Sequence, residues 1–273
     1  MAKSALLKSS IGKKYWMALT GLFLCTFLMG HLAGNLQLLV PDNALNFNKY
    51  ALFMTTNPAI KLLSYVTYIS IIFHSIDGII LTIQNKRARP IGYAKSSPRS
   101  NSSFSSRNMA VLGTLVLVFL STHMISFWAK MHFDENMPIQ KTTINVGGQK
   151  QDFYVTTDGG YLPVNDKNFV IKNRTDFYDV NANVKVKEGY KDLYKLTFDF
   201  FRDSKYGLLF TLFYVLSMSV LGFHLWHGFQ SGFQTLGANH PKYTPLIKLV
   251  GKGFATLIPF LFAIIPLYIH FSK

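Results

Sequence analysis

A histidine inside a lipid-spanning helix is costly unless something is bound to it, so each one marks a site. This chain carries four, in four different hydrophobic stretches: His31, His74, His123 and His224. One imidazole per helix points to something shared between helices, and the chemistry that fits is axial ligation of haem iron by paired histidines. Two such pairs make two bis-histidine haems. With both axial positions filled there is no open site for oxygen, so haems of this kind carry electrons rather than activate substrates.

The elements that must position these residues are legible as five apolar stretches, each long enough for the roughly 20 residues a bilayer crossing needs. They run Trp16–Val40, Pro58–Ile83, Met109–Met131, Tyr206–Gln234 and Leu246–Phe271. The expected fold is therefore an all-α integral membrane bundle of five transmembrane helices. Lys3, Lys8, Lys13 and Lys14 precede the first stretch, as in a signal peptide. The stretch exceeds a signal core of about 7–15 residues and no small-residue cleavage site follows it, so a retained helix is expected.

Helix rise tests the pairing. At about 1.5 Å per residue, His31 and His123 each lie about 22 Å above the inner ends of helices one and three. His74 and His224 lie each about 15 Å from the inner ends of helices two and four. Two level pairs result, His31 with His123 towards the outside and His74 with His224 towards the inside. Small residues accompany them: Gly30, Ala33 and Gly34 around His31, Gly78 after His74, Gly222 and Gly228 about His224. Such residues admit a flat macrocycle close to the backbone, and they serve plain helix packing equally well.

The net charge of +15 is not a nucleic-acid footprint. Residues 131–204 hold 11 of the 13 acidic residues and 10 of the 28 basic ones, whereas the rest of the chain sets 18 basic residues against Asp42 and Asp77 alone. The surplus gathers at the N-terminus, in the 85–107 loop (Lys86, Arg87, Arg89, Lys95, Arg99, Arg107) and around 235–252. That is the positive-inside pattern. It predicts a cytoplasmic N-terminus, an outward C-terminus and an outward 131–204 loop. The Ser-, Pro- and Arg-rich 85–107 loop reads equally as topogenic charge and as a docking surface for a soluble partner.

Residues 132–204 form the one substantial polar segment. Alternating runs such as TTINV, DFYVTT, NFVIKN and VKVKEG, separated by turn residues, predict short β-hairpins. The chain thus divides into helices one to three (1–131), a partly β extracytoplasmic insert (132–204), and helices four and five of the same bundle (205–273). The insert reads as a cap, and its Asn173 sequon as incidental.

Other groups have plainer readings. His227 shares the face of His224 and is its rival as a ligand. His132, His240 and His270 sit at membrane edges. Asp77, one turn after His74, is the sole acid in a hydrophobic stretch, which marks it for a partner, a proton or a quinone. Lys13 and Lys14 could meet a propionate or a quinone carbonyl, although topogenic charge explains them. The single cysteine, Cys25, reads as a core residue, and there is neither a P-loop nor a strand-linked G-x-G-x-x-G.

The stretches SSIGKKYWMALTGLFLCTFLMGHLAGNL, FHSIDG, STHM and FHLWHGFQSGFQTLG resemble the membrane cytochrome b subunit of succinate dehydrogenase/fumarate reductase, in its single-subunit, five-helix, two-haem bacterial form. The resemblance covers all five helices and departs in the 132–204 insert. It implies two haem b groups, the outer on His31 and His123 and the inner on His74 and His224. It implies a bacterial inner membrane, a flavoprotein and an iron–sulfur subunit on the cytoplasmic side, and menaquinone as the quinone, with a dimer of complexes as one assembly. The family's quinone-site residues do not map onto this chain, which leaves Asp77 and Lys14 as the candidates for quinone contact or proton transfer. Two alternatives stay open: a cytochrome b subunit of another membrane oxidoreductase, and a haem-free transporter whose histidines carry protons.

Overall fold

The computed structural model describes residues 10–88, 91 and 102–272. Lys3, Lys8, Arg89, Lys95 and Arg99, and with them most of the Ser/Pro/Arg loop, lie outside the described residues. The chain is mostly helical. It contains α1 (Ser10–Asn35), α2 (Ala44–Thr56), α3 (Pro58–Ala88), α4 (Phe104–Arg107), α5 (Met109–His123), α6 (Lys130–Phe133), α7 (Leu193–Arg202), α8 (Gly207–Thr235) and α9 (Thr244–Phe271). Six short strands lie between α6 and α7: β1 (Lys141–Val146), β2 (Gln149–Val155), β3 (Tyr161–Pro163), β4 (Phe169–Lys172), β5 (Asp176–Asp179) and β6 (Lys185–Glu188).

Among the described residues, five helical spans are long and apolar enough to cross a membrane: Ile11–Leu39, Pro58–Ala88, Met109–Phe133, Gly207–Thr235 and Thr244–Phe271. They overlap the five stretches read from sequence, with the first beginning five residues earlier, at Ile11, and the second ending five later, at Ala88. They carry large exposed apolar side chains, such as Leu62, Ile69, Ile72 and Ile79 on α3. Exposed apolar surface on that scale is tolerated where the solvent is lipid, and it suggests a multi-pass membrane protein. The third span is not uniform: α5 ends at His123 and the chain winds as a π-helix over Met124–Ala129 before α6.

Local signals explain where helices begin and end. Asn57 accepts hydrogen bonds at Oδ1 from the amides of Ala59 and Ile60, and Pro58 fills the first helical position of α3, where no amide proton is needed. Asp203 caps the start of α8 by accepting from the amides of Lys205 and Tyr206. At the other end of α8, Gly237 takes the left-handed conformation (φ 86°) and Ala238 N–H donates to the Phe233 carbonyl, which closes the helix.

The chain separates into two compact units. The first comprises Met1–Asn35, Leu62–Ser121 and Thr211–Leu267. Its core gathers Cys25, Met218, Leu221, Leu225 and Ala255, with Val116, Phe119 and Phe262 packed against them. Pro259 has no amide to give the Ala255 carbonyl one turn earlier. That oxygen lies 3.1 Å from where a Cβ on Gly222 would sit, so only glycine lets α8 approach α9 there.

The second unit comprises Leu36–Lys61, Thr122–Phe210 and Tyr268–Lys273. It holds two three-stranded antiparallel sheets, ordered β1-β2-β3 and β4-β5-β6. Gly147 and Gly148, both at positive φ, make the two-residue turn that sets Val146 opposite Gln149. Isolated bridges Thr156–Gly189 and Ile139–Lys191 tie the segments together over a core of Ile139, Leu162 and Phe177. Two helices of this unit, α2 and α7, have no counterpart in the sequence reading, which took residues 41–57 and 132–204 as loop and hairpins. They meet at Asn48, which is 1% exposed. Its Nδ2 donates to Gln140 Oε1 and to Asp192 Oδ1 (2.8 Å), and its Oδ1 accepts from the Tyr194 amide (3.0 Å). Asp192 caps α7 by accepting from the Lys195 amide.

Candidate haem-ligand site

Of the four helix-borne histidines, the first unit contains three. His74 of α3 and His224 of α8 lie ring against ring, with centroids 6.2 Å apart and planes at 73°. Two imidazole–metal bonds of about 2 Å, extended by a ring radius at each end, span about 6 Å between centroids, so this spacing fits one metal held by two histidines. The pair is the one that depth counting matched. His227 is half-buried one turn further along α8, and the ring that meets His74 is that of His224.

The surroundings of His74 fix its tautomer. Its Nδ1 lies 3.2 Å from the Met17 carbonyl oxygen and 3.4 Å from Thr20 Oγ1, both on α1. A carbonyl only accepts, so Nδ1 carries the proton and Nε2 keeps its lone pair. Donation from the distal ring nitrogen to a backbone carbonyl is the usual support of a ligating histidine, and it raises the basicity of the other nitrogen. The ring reaches α1 because Gly21 has no side chain: a Cβ there would stand 3.1 Å from His74 Cε1.

His224 is held differently. Its Nδ1 is buried and has no hydrogen-bond partner among the described residues. Its neighbour is Gly113 of α5, where a Cβ would stand 3.6 Å from His224 Cε1. Both rings thus rest against glycines on other helices, not against the glycines beside them in sequence. A Cβ at Gly30 or Gly78 would meet nothing within 4 Å, Gly222 faces the Ala255 carbonyl, and Gly228 faces Met109. Met17, Thr20, Gly21 and Gly113 are absent from the sequence reading. Gly21 and Gly113 are the visible trace, each an isolated glycine in an apolar helix, whereas a backbone carbonyl leaves no trace in sequence.

His31, also in the first unit, stacks on Phe27 (5.4 Å, 12°) and lies 5.6 Å from Phe262. Asn35 Nδ2 donates to the His31 carbonyl (2.8 Å) and approaches its Nδ1 (3.4 Å). His123 belongs to the second unit, at the last position of α5 before the π-helical turn, with Phe127 5.4 Å away. Single π-turns inside α-helices recur at functional sites, because the extra residue re-aims the side chains around it.

The remaining candidates divide plainly. Asp77 is half-buried one turn after His74, and Lys14 is exposed near the start of α1. The three edge histidines have structural bonds: His132 Nδ1 donates to the Trp128 carbonyl, His270 Nδ1 to the Phe201 carbonyl, and His240 Nδ1 accepts from the Lys242 amide. Among the described residues, no three His, Cys, Asp or Glu side chains gather as an all-protein metal site would require. What the arrangement provides is two imidazoles from separate helices at a separation that one metal centre would span. Compared with protein-family models, curated proteins and solved structures, the chain finds no match.

Proposed function

We propose that this chain is a di-haem b membrane subunit that passes electrons between a soluble iron–sulfur partner and a quinone in the bilayer, as the anchor of a succinate dehydrogenase/fumarate reductase. One observation carries the reading: two imidazoles from separate apolar helices at metal-bridging separation, one with its distal nitrogen pinned to a backbone carbonyl. Haem b bound there would supply reversible one-electron chemistry. His74 and His224 would hold it; a second haem on His31 and His123 is what the sequence resemblance implies.

The protein's own part is binding and orientation. Met17 and Thr20 hold the His74 ring. The basic inner segments, with the N-terminus inside and the C-terminus outside a bacterial cytoplasmic membrane, would face the flavoprotein and iron–sulfur subunits. The quinone, proposed as menaquinone, would exchange electrons with the haems. Succinate itself would never touch this chain.

The test is a reduced-minus-oxidised spectrum of the purified chain together with the partners it retains. A b-type α-band with co-purified flavin and iron–sulfur protein is the expected result. A b-type band with partners that carry no flavin would move the chain to another oxidoreductase. A chain without any haem band would end the proposal.

A further inference from the structure

The two facing imidazoles are unequal. His74 donates Nδ1–H to the Met17 carbonyl at 3.2 Å. Thr20 Oγ1, at 3.4 Å, gives its own proton to the Trp16 carbonyl (2.8 Å) and so turns a lone pair towards the same ring nitrogen. Thr20 is buried, and Gly21 beside it provides the clearance. Three features of α1 within five residues, at Met17, Thr20 and Gly21, therefore settle both the position and the tautomer of this ring. Among the described residues, nothing comparable holds His224. Its Nδ1 is enclosed and has no hydrogen-bond partner there, which is unfavourable and leaves the position of the ring proton unset at that nitrogen.

We infer that His74 is the fixed ligand of the inner site and His224 the exchangeable one, with Thr20 and the Met17 carbonyl as the positioning groups that create the difference. The inference rests on the haem reading above. A pinned Nδ1–H strengthens donation from Nε2, so the bond from His74 is the stronger of the two and forms without rearrangement. His224 must first choose its tautomer and settle its ring. A haem at this site would accordingly stay attached through His74 when His224 is removed, and would not be retained through His224 alone.

The experiment compares His74→Ala and His224→Ala in the full chain in its membrane, with Thr20→Val and Thr20→Ser as milder variants. For His224→Ala the expected result is a retained inner haem that becomes high-spin and binds carbon monoxide or added imidazole. For His74→Ala it is loss of that haem with the outer one kept. Equal behaviour of the two alanine variants, or the reverse order, overturns the inference. Thr20→Val should raise the inner-haem midpoint potential and shift its low-spin electron paramagnetic resonance signal, and Thr20→Ser should restore both. An unchanged potential and signal in Thr20→Val would remove Thr20 from the account. Nitrogen-15 spectra of the haem-free chain separate this inference from the reading beneath it. They should show His74 protonated at Nδ1; a proton at Nε2 overturns the inference even where both haems are present. A wild-type chain without haem defeats the functional reading instead, and the inference with it.

Discussion

Replacing Gly21 with Ala places one methyl group where the inner site has least room. The new carbon would stand 3.1 Å from His74 Cε1 and 3.4 Å from its Nδ1. Carbon–carbon contacts settle at about 3.5–4.0 Å, so the ring must retreat by about 0.4–0.9 Å. The Nδ1 to Met17 carbonyl distance starts at 3.2 Å, and a retreat of that size takes it beyond hydrogen-bonding range. The loss of a neutral hydrogen bond costs about 1 kcal/mol. Forcing a methyl into a filled site adds about 1–3 kcal/mol. The total of about 2–4 kcal/mol corresponds to inner-haem affinity lowered by about 30- to 1,000-fold. Gly113→Ala is the matched control, because its Cβ would lie 3.6 Å from His224 Cε1, an ordinary contact. Removing a helical glycine there should stabilise the chain by a few tenths of a kcal/mol to about 1 kcal/mol. The assay is haem content per chain by spectral titration of membranes carrying each variant, with outer and inner haems resolved by potential. If Gly21→Ala keeps both haems at wild-type affinity, or if Gly113→Ala is the variant that loses one, the steric argument for the His74 seat is wrong.

Asn48→Ala should destabilise the second unit by about 2–5 kcal/mol, since it strands the buried Gln140 oxygen and the Tyr194 amide while Asp192 keeps its bond from Lys195. Urea unfolding followed by hydrogen exchange of the β1–β6 amides measures this, and protection equal to wild type would contradict it. Gly251→Ala brings a Cβ to within 2.8 Å of Phe229 Cδ1 and should cost about 1–3 kcal/mol of first-unit stability, read as a lower thermal midpoint in detergent. The second unit should also be acid-sensitive. Asp158 is held below the ordinary carboxylate range by its bond from Lys187, helped by Thr156 and the Gly160 amide. Burial pushes the Asp176 carboxyl up, but bonds from Lys185 and Asn173 outweigh it and leave that group lowered too. Groups depressed on folding add stability that is complete above the unfolded carboxylate value, about 3.9, and fades as pH falls through the lower folded values. Sheet protection should therefore hold at pH 5–7 and weaken below about pH 4, and protection that instead declines on raising pH from 5 to 7 would refute the assignment.

The helices of this protein were legible for a physical reason. Apolar runs of membrane length need no tertiary information, so five spans and the level of His74 with His224 follow from counting residues at a fixed rise. Other features depend on partners distant in sequence. Asn48 reads as an ordinary polar residue in a short outer loop until Gln140, Asp192 and Tyr194 are brought to it. The α7 helix mixes Lys195, Asp199 and Arg202 with a run of aromatics, and its start at Asp192 could have been read from the cap residue alone. Strands β3 and β5 are too short to announce themselves beside the longer alternating runs around them. The seat of His74 was the least visible of all, because its key acceptor is a main-chain oxygen and its clearance comes from a glycine 53 residues away in sequence.

The most direct test of the central claim is the number of haem b groups per polypeptide, measured by pyridine haemochrome on the purified full-length chain. Two per chain in the wild type, falling to one in His74→Ala with His31 and His123 intact, is the result this account predicts. A wild-type chain that binds none, or one that keeps both haems after His74 is removed, would contradict it.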